Sequence, residues 1–304
     1  MTTPLSEAPG ARLRRLLDRT DPLVLPGCAD ALTARLAQGA GFEAVYATGA
    51  GIANTLLGQP DVGLTTMTEV VAQVERMCEA VELPVVADID TGFGNAINAR
   101  RAVRAFERAG VAAVQVEDQV FPKRCGHFDG TAVIGLDEML GKLRAVLDAR
   151  IDASLVVIAR TDALAADGFD GAVERALAFA AAGADLVFVE GPVDREELAV
   201  LPQRVPAPLV ANMVEGGRTP LLPAAELGAM GYRIVLFANT ALRVAAAAVR
   251  DALGELRRTG DSTGLLDKML SWDERQSLVG LAEIEALERR YAPPASAPAP
   301  SGGG

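Results

Sequence analysis

Eight short, almost wholly apolar runs recur along this chain, at 22–26, 44–47, 84–89, 113–116, 155–159, 186–189, 208–211 and 234–237. Between them lie Ala-, Leu-, Glu- and Arg-rich segments with helical spacing, as at 99–109, 171–182 and 223–230. Several of these close on the signal that ends a helix: Ala109-Gly110, Ala182-Gly183 and Met230-Gly231. A strand that is apolar throughout, rather than alternating, must be covered on both faces, and a helix after each strand makes neighbouring strands parallel. Eight such units predict an α/β fold, the closed (βα)8 TIM barrel, with an open doubly wound sheet as the alternative. A chain of 304 residues, half of them apolar, can bury a barrel of that size.

The flanks carry two additions. Residues 12–18 predict an extra N-terminal helix, and 271–291 predict a helical arm with an apolar stripe at Leu278, Leu281, Ile284 and Leu287. An arm beyond a finished barrel must bury that stripe, against a neighbouring subunit or against its own barrel. One barrel domain over 1–291 is therefore expected, its arm beginning near 262, followed by a disordered Pro-, Ala-, Ser- and Gly-rich tail at 292–304.

A net charge of −11 without a basic tract argues against nucleic acid or an anionic membrane as partner. No run of about 18 residues is free of charged and polar breaks, as a membrane span would require. The first nine residues lack the order of a secretion signal, so a cytoplasmic location is expected. Three scattered cysteines, Cys28, Cys78 and Cys125, do not make a disulfide framework.

In a barrel, side chains at the carboxyl ends of the strands point into one mouth. Here those ends are Thr48-Gly49-Ala50-Gly51, Asp88-Ile89-Asp90, Glu117-Asp118, Arg160-Thr161-Asp162, Glu190, Asn212 and Asn239. Asp88 and Asp90 are expected on one strand face, because side chains repeat every two residues. With Glu117 on the adjacent strand they form an all-oxygen cluster, suited to Mg2+ or Mn2+ rather than zinc. The pairs Gly49/Gly51 and Gly92/Gly94 put backbone amides where a carboxylate or phosphate can approach.

The most specific string is Lys123-Arg124-Cys125-Gly126-His127. It holds the chain's only histidine and one of its three lysines. A thiol among cations has its thiolate favoured and can exchange a proton with carbon, and Gly126 gives the loop room to close. A metal, a cationic cluster and such a thiol suit one reaction class. A 2-hydroxy acid loses its hydroxyl proton, the adjacent C–C bond breaks to leave a 2-oxo acid, and the carbanion that departs is stabilised by its own carboxylate before protonation.

From Pro26 to about Tyr291 the chain resembles the isocitrate lyase and phosphoenolpyruvate mutase superfamily. The resemblance rests on 58–63, 87–94, 116–119, 123–127, 159–163 and 212–217. The cysteine loop resembles that of the lyase branch, which includes methylisocitrate lyase and 2,3-dimethylmalate lyase. It implies an Mg2+-dependent C–C lyase acting on a 2-hydroxy di- or tricarboxylate, with an oxaloacetate decarboxylase or other 2-oxo-acid enzyme as the alternative and a non-catalytic barrel as a distant one. Asp88 would be the main metal ligand, with Asp61, Asp90 and Glu117 around the metal's waters. Tyr46 would be the base for the hydroxyl, beside Thr48, Gly49 and Ala50 at the 2-oxo-acid end. Arg160 would bind a carboxylate, Glu190 and Asn212 would complete the pocket, and Cys125 would be the general acid, with His127, Lys123 and Arg124 around it. The resemblance also implies a homotetramer that exchanges C-terminal helices. Phe237-Ala238-Asn239 departs from the Tyr-Pro-Leu-like sequence usual there, which makes Asn239 the residue to watch for substrate choice.

Overall fold

Every one of the eight apolar runs becomes a strand in the computed structural model, which describes residues 7–124 and 132–293. The strands are β1 (Leu23–Cys28), β2 (Val45–Ala47), β3 (Val85–Asp88), β4 (Ala113–Glu117), β5 (Val156–Thr161), β6 (Leu186–Val189), β7 (Leu209–Asn212) and β8 (Tyr232–Phe237). They pair in chain order, all parallel, and β1 closes on β8. The closed barrel is thus observed, and the open sheet is not.

The helices are α1 (Pro9–Leu17), α2 (Ala31–Gly39), α3 (Gly49–Leu57), α4 (Met67–Ala80), α5 (Ala96–Arg108) and α6 (Leu136–Leu147). They continue as α7 (Leu164–Ala181), α8 (Arg195–Arg204), α9 (Ala224–Met230) and α10 (Thr240–Thr259). Local chemistry fixes several starts. Thr66 and Glu69 close a capping box on α4, and Asn95 and Asn98 do the same on α5. Gly58 ends α3 in the left-handed conformation that glycine adopts without strain.

The core has two layers. Val45, Ala87, Val114, Val157, Val187 and Val235 face the helices, where Met77, Phe106, Leu143 and Phe179 meet them. Their alternates, Leu25, Tyr46, Val86, Ala113, Ile158, Phe188, Val210 and Ile234, fill the barrel's inside. Leu13 and Leu16 of α1 join that inner layer, so the N-terminal helix plugs the barrel. Arg14 fastens it with a 2.8 Å ion pair to Asp185.

The chain divides into two compact units, the first ending at Asp251 and the second beginning at Ala252. The second holds a 3-10 helix (Thr263–Lys268), α11 (Trp272–Leu278) and α12 (Leu281–Tyr291). The expected continuous arm is therefore broken: Gly280 takes φ +76 between α11 and α12, which interrupts helical hydrogen bonding. Of the predicted stripe, Leu281, Ile284 and Leu287 are exposed. Beyond Pro293 the expected tail lies outside the described residues. Among the described residues no helix is long and apolar enough to cross a membrane.

One glycine ties the packing to the mouth. A Cβ on Gly27 of β1 would stand 1.9 Å from the carbonyl oxygen of Ala238, at the end of β8. Gly27→Ala should therefore push the β8 end outward and cost about 1–3 kcal/mol, as overpacking does. Thermal unfolding should show a lowered Tm, and an unchanged Tm would contradict this view of the seam.

Candidate active site

The inside–outside alternation does not stop where the core stops. Stepping two residues beyond the inward-facing layer leads from Tyr46 to Thr48, from Val86 to Asp88 and from Ile158 to Arg160. It leads likewise from Phe188 to Glu190, Val210 to Asn212 and Leu236 to Ala238, and from Ala113 through Gln115 to Glu117. Apart from Gln115 and Ala238, these inward residues pass from the barrel's inner packing layer to polar side chains at its carboxyl end. Together with Ala50, Asp61, Lys123, Arg124, Val214, Leu236 and Asn239, most of these residues line one cleft at the barrel mouth.

Strand register sets the first contacts. Asp88 lies beside Gln115, and Glu117 beside Arg160. Tyr46 donates its hydroxyl to Gln115 Oε1 at 2.8 Å, and Gln115 Nε2 reaches Asp88 Oδ1 at 3.4 Å. The Gly49 amide, at the N-terminus of α3, points at Asp88 Oδ2 from 3.4 Å, and Thr48 caps that helix. Arg160 clasps Asp162 through two bonds of 2.9 and 2.7 Å. It also reaches Glu117 at 3.5 Å and Glu190 at 3.3 Å, and its guanidinium lies 5.0 Å from the Phe188 ring centre. Asn212 donates to Glu190 at 3.1 Å.

Asp90 departs from expectation. β3 ends at Asp88, and Asp90 sits in a turn with φ +49, so strand alternation does not place it. Phe93 in the same turn has φ +60; such non-glycine conformations cost about 1–3 kcal/mol each and persist only when surroundings hold them. What the turn delivers is Asp90 Oδ1 at 2.7 Å from Lys123 Nζ, which also donates to Asp61 at 2.7 Å. It further brings the Asp90 amide to Asp88 Oδ1 at 3.0 Å.

The segment carrying the cysteine loop is tied at both ends. Gln119 accepts from the Arg124 amide at 2.9 Å and donates to the Arg124 carbonyl at 2.8 Å. Val120 donates to the Ala132 carbonyl, and Ile134 to the Asp118 carbonyl, each at 2.8 Å. Cys125 and His127 lie between these ties, outside the described residues.

Asp118, Asp162, Gln115, Gln119 and Arg175 carry this scaffold and were not singled out as site residues by the sequence reading. Asp118 accepts from Thr161 Oγ1, the Asp162 amide and Arg175. Burial nevertheless pushes its carboxyl up to about 6. Gln115 had a readable signal, a polar side chain at an inward position of an apolar strand. Arg175 and Lys142 sit on helices, and only tertiary packing brings them in.

The electrostatics point one way. Burial, and then neighbouring Asp90, raise the Asp88 carboxyl; burial raises Glu117 strongly although Arg160 opposes it. Burial disfavours the charge on Lys123 and Arg160, yet surrounding carboxylates outweigh it and hold both firmly protonated. Burial and then Asp88 raise the Tyr46 hydroxyl, so it keeps its proton here. The cluster is short of positive charge.

Those residues fit a divalent cation. Asp61 and Asp90 are engaged by Lys123 and Glu117 is reached through Oε2 by Arg160, while among the described residues Glu117 Oε1 is buried without a hydrogen-bond partner. A Cβ on Gly49 would stand 2.9 Å from Asp88 Oδ2, so glycine keeps that oxygen approachable. Among the described residues no group of three or more acidic, histidine or cysteine side chains could by itself hold a metal. An ion that keeps its waters and takes one or two carboxylates plus substrate oxygens, as Mg2+ does, has no need of such a group.

The family described as phosphoenolpyruvate phosphomutase matches residues 13–257. The chain is 46% identical to the 2,3-dimethylmalate lyase of Eubacterium barkeri, over 93% of this chain and 98% of the relative. It is 43% identical to the 2-methylisocitrate lyase of Aeropyrum pernix, over 92% and 90%. A crystal structure of 2,3-dimethylmalate lyase, described as a PEP mutase/isocitrate lyase superfamily member, superposes with a TM-score of 0.90 at 40% identity, covering 96% of this chain and 98% of that one. With strand ends, Lys123 pairing and barrel all in place, this chain belongs to the phosphoenolpyruvate mutase/isocitrate lyase superfamily.

Proposed function

We propose that this protein is an Mg2+-dependent carbon–carbon lyase that cleaves a methylated 2-hydroxy di- or tricarboxylate into a 2-oxo acid and a second carboxylic acid. The observation that carries the reading is the buried mouth itself. Arg160 lines it where it would meet one carboxylate, and Asp88 and Glu117 line it as buried carboxyl groups whose charged forms a cation would favour. The lyase names of the two relatives and the cysteine loop of the sequence agree with it.

Bound at Asp88 and Glu117, Mg2+ (or Mn2+) would supply Lewis acidity toward the substrate's carboxylate and hydroxyl oxygens. The chain's own residues do the rest. Thr48, Gly49 and Ala50, at the α3 N-terminus, receive the 2-oxo-acid end, because the positive end of a helix favours an anion. Tyr46, oriented by Gln115, keeps its proton in this structure, and it would become the acceptor of the hydroxyl proton only once a cation beside Asp88 offsets the negative charge that raises it. Arg160 holds the distal carboxylate, backed by Asp162, Glu117 and Glu190 so that it cannot swing away. As the C–C bond breaks, its electron pair passes to the carbon next to that carboxylate, and the Cys125 thiol donates the proton that neutralises it. His127, Lys123 and Arg124 tune the thiol. Val214, Leu236 and Ala238 give the cleft an apolar wall for the alkyl group, and Asn239 beside them sets which group is accepted.

The exposed apolar face of α12 fits a second copy of the chain, in a homotetramer that exchanges C-terminal helices. Light scattering on the purified protein should give a tetramer, and a monomer would refute the exchange.

A panel of 2-methylisocitrate, 2,3-dimethylmalate, citramalate and isocitrate, with Mg2+ and a coupled assay for pyruvate or glyoxylate, tests the function. Turnover of at least one member is expected, and Cys125→Ala should lower kcat by about 10²–10⁴-fold, as loss of a general acid does. If no member reacts while oxaloacetate is consumed, the lyase reading falls, and undiminished turnover by Cys125→Ala removes the thiol from the mechanism.

A further inference from the structure

Lys142 is a cation that the fold alone does not call for. It lies on α6, outside the lining of the cleft, and only 3% of it is exposed. Among the described residues its ammonium has one partner, the Thr91 carbonyl oxygen at 2.8 Å, and makes no ion pair. Carboxylates of Glu138, Glu117 and Asp118 favour its charge from beyond ion-pair distance, yet an ammonium bonded, among the described residues, to one neutral acceptor is a costly way to fill buried space that an apolar side chain of similar length would fill. Burial accordingly pulls the Lys142 pKa down. Lys142 is also one of only three lysines in the chain.

Its single bond falls on the turn that delivers Asp90. Asp90, Gly92, Phe93 and Gly94 all have positive φ there, +49, +78, +60 and +144, and two of them are not glycine. Such a run relaxes unless neighbours over-determine it. The other backbone ties are few: Gly92 donates to the Ile89 carbonyl, and the Glu117 amide donates to the Asp90 carbonyl, each at 2.9 Å. Among the described residues the Thr91 hydroxyl has no partner, and Thr91 is held through its carbonyl.

We propose that Lys142 is a positioning residue of this site: its buried ammonium pins the Thr91 carbonyl and holds the left-handed turn that presents the Asp90 carboxylate to Lys123 and the Asp90 amide to Asp88. The inference rests on the lyase reading for its catalytic consequence, but its structural half stands apart from that reading. Lys142 acts at one remove, through Asp90, on the residues that face the cleft.

Lys142→Met keeps the stem and removes the donor. Hydrogen–deuterium exchange of the full-length protein should speed up about tenfold in the peptide spanning 89–95, the loss expected when one hydrogen bond ceases to hold a local opening. Strand β3 and helix α6 should exchange as before, and Tm should stay level or rise. On the substrate that the wild type turns over, kcat should fall roughly 10–100-fold with KM within about threefold, the pattern of misplaced reacting groups. Unchanged exchange in 89–95 overturns the proposal, as does faster exchange with full kcat. A lowered Tm with exchange raised evenly across the barrel also overturns it, because Lys142 would then be an ordinary packing residue. Should the wild type cleave nothing in the panel, the reaction reading fails on its own, and exchange in 89–95 still decides whether Lys142 holds the turn.

Discussion

Too many buried carboxyl groups for the cations beside them is the constraint from which the rest of this site follows. Among the described residues Asp61, Asp88, Asp90, Glu117 and Asp162 are buried at the mouth, and the buried cations that form ion pairs with them are Lys123 and Arg160. Isolated charges of one sign cannot share a low-dielectric cleft, so groups either pair, take up protons or wait for a counter-ion. Here the first two outcomes are visible. Lys123 divides itself between Asp61 and Asp90, Arg160 is spread over three carboxyls, and Asp88 and Glu117 shift toward the protonated form.

A barrel tolerates that arrangement because its stability resides elsewhere. The inner layer from Leu25 to Ile234, the helix-facing layer with Phe106 and Phe179, and the Leu13–Leu16 plug lie below the mouth. The strained turn at Asp90 and Phe93 is then affordable only at the carboxyl end, where strain serves the placement of a carboxylate rather than the closure of the barrel.

Much of this was legible in the residues. Eight apolar runs gave eight strands because strands buried on both faces leave a pattern that no tertiary contact overrides. The polar ring of Asp88, Glu117, Arg160, Glu190 and Asn212 was equally legible, since each stands at or next to the end of a largely apolar strand. Asp90 was not: the two-residue period holds only while the chain stays extended, and the chain turns left-handed one residue after β3 and Ile89. Nor was the scaffold of Asp118 and Arg175, residues 57 apart whose 3.2 Å contact exists only once α7 packs on the barrel. The break at Gly280 escaped notice because the apolar spacing of Leu278 and Leu281 continues across it.

The cation that this charge balance calls for can be measured without any substrate. Calorimetric titration of Mg2+ into chelator-treated protein should show one ion bound per chain, and Asp88→Asn, which removes the central carboxylate while keeping its size, should abolish that binding. Equal binding of Mg2+ by Asp88→Asn and the wild type would contradict the assignment of the mouth as a magnesium site.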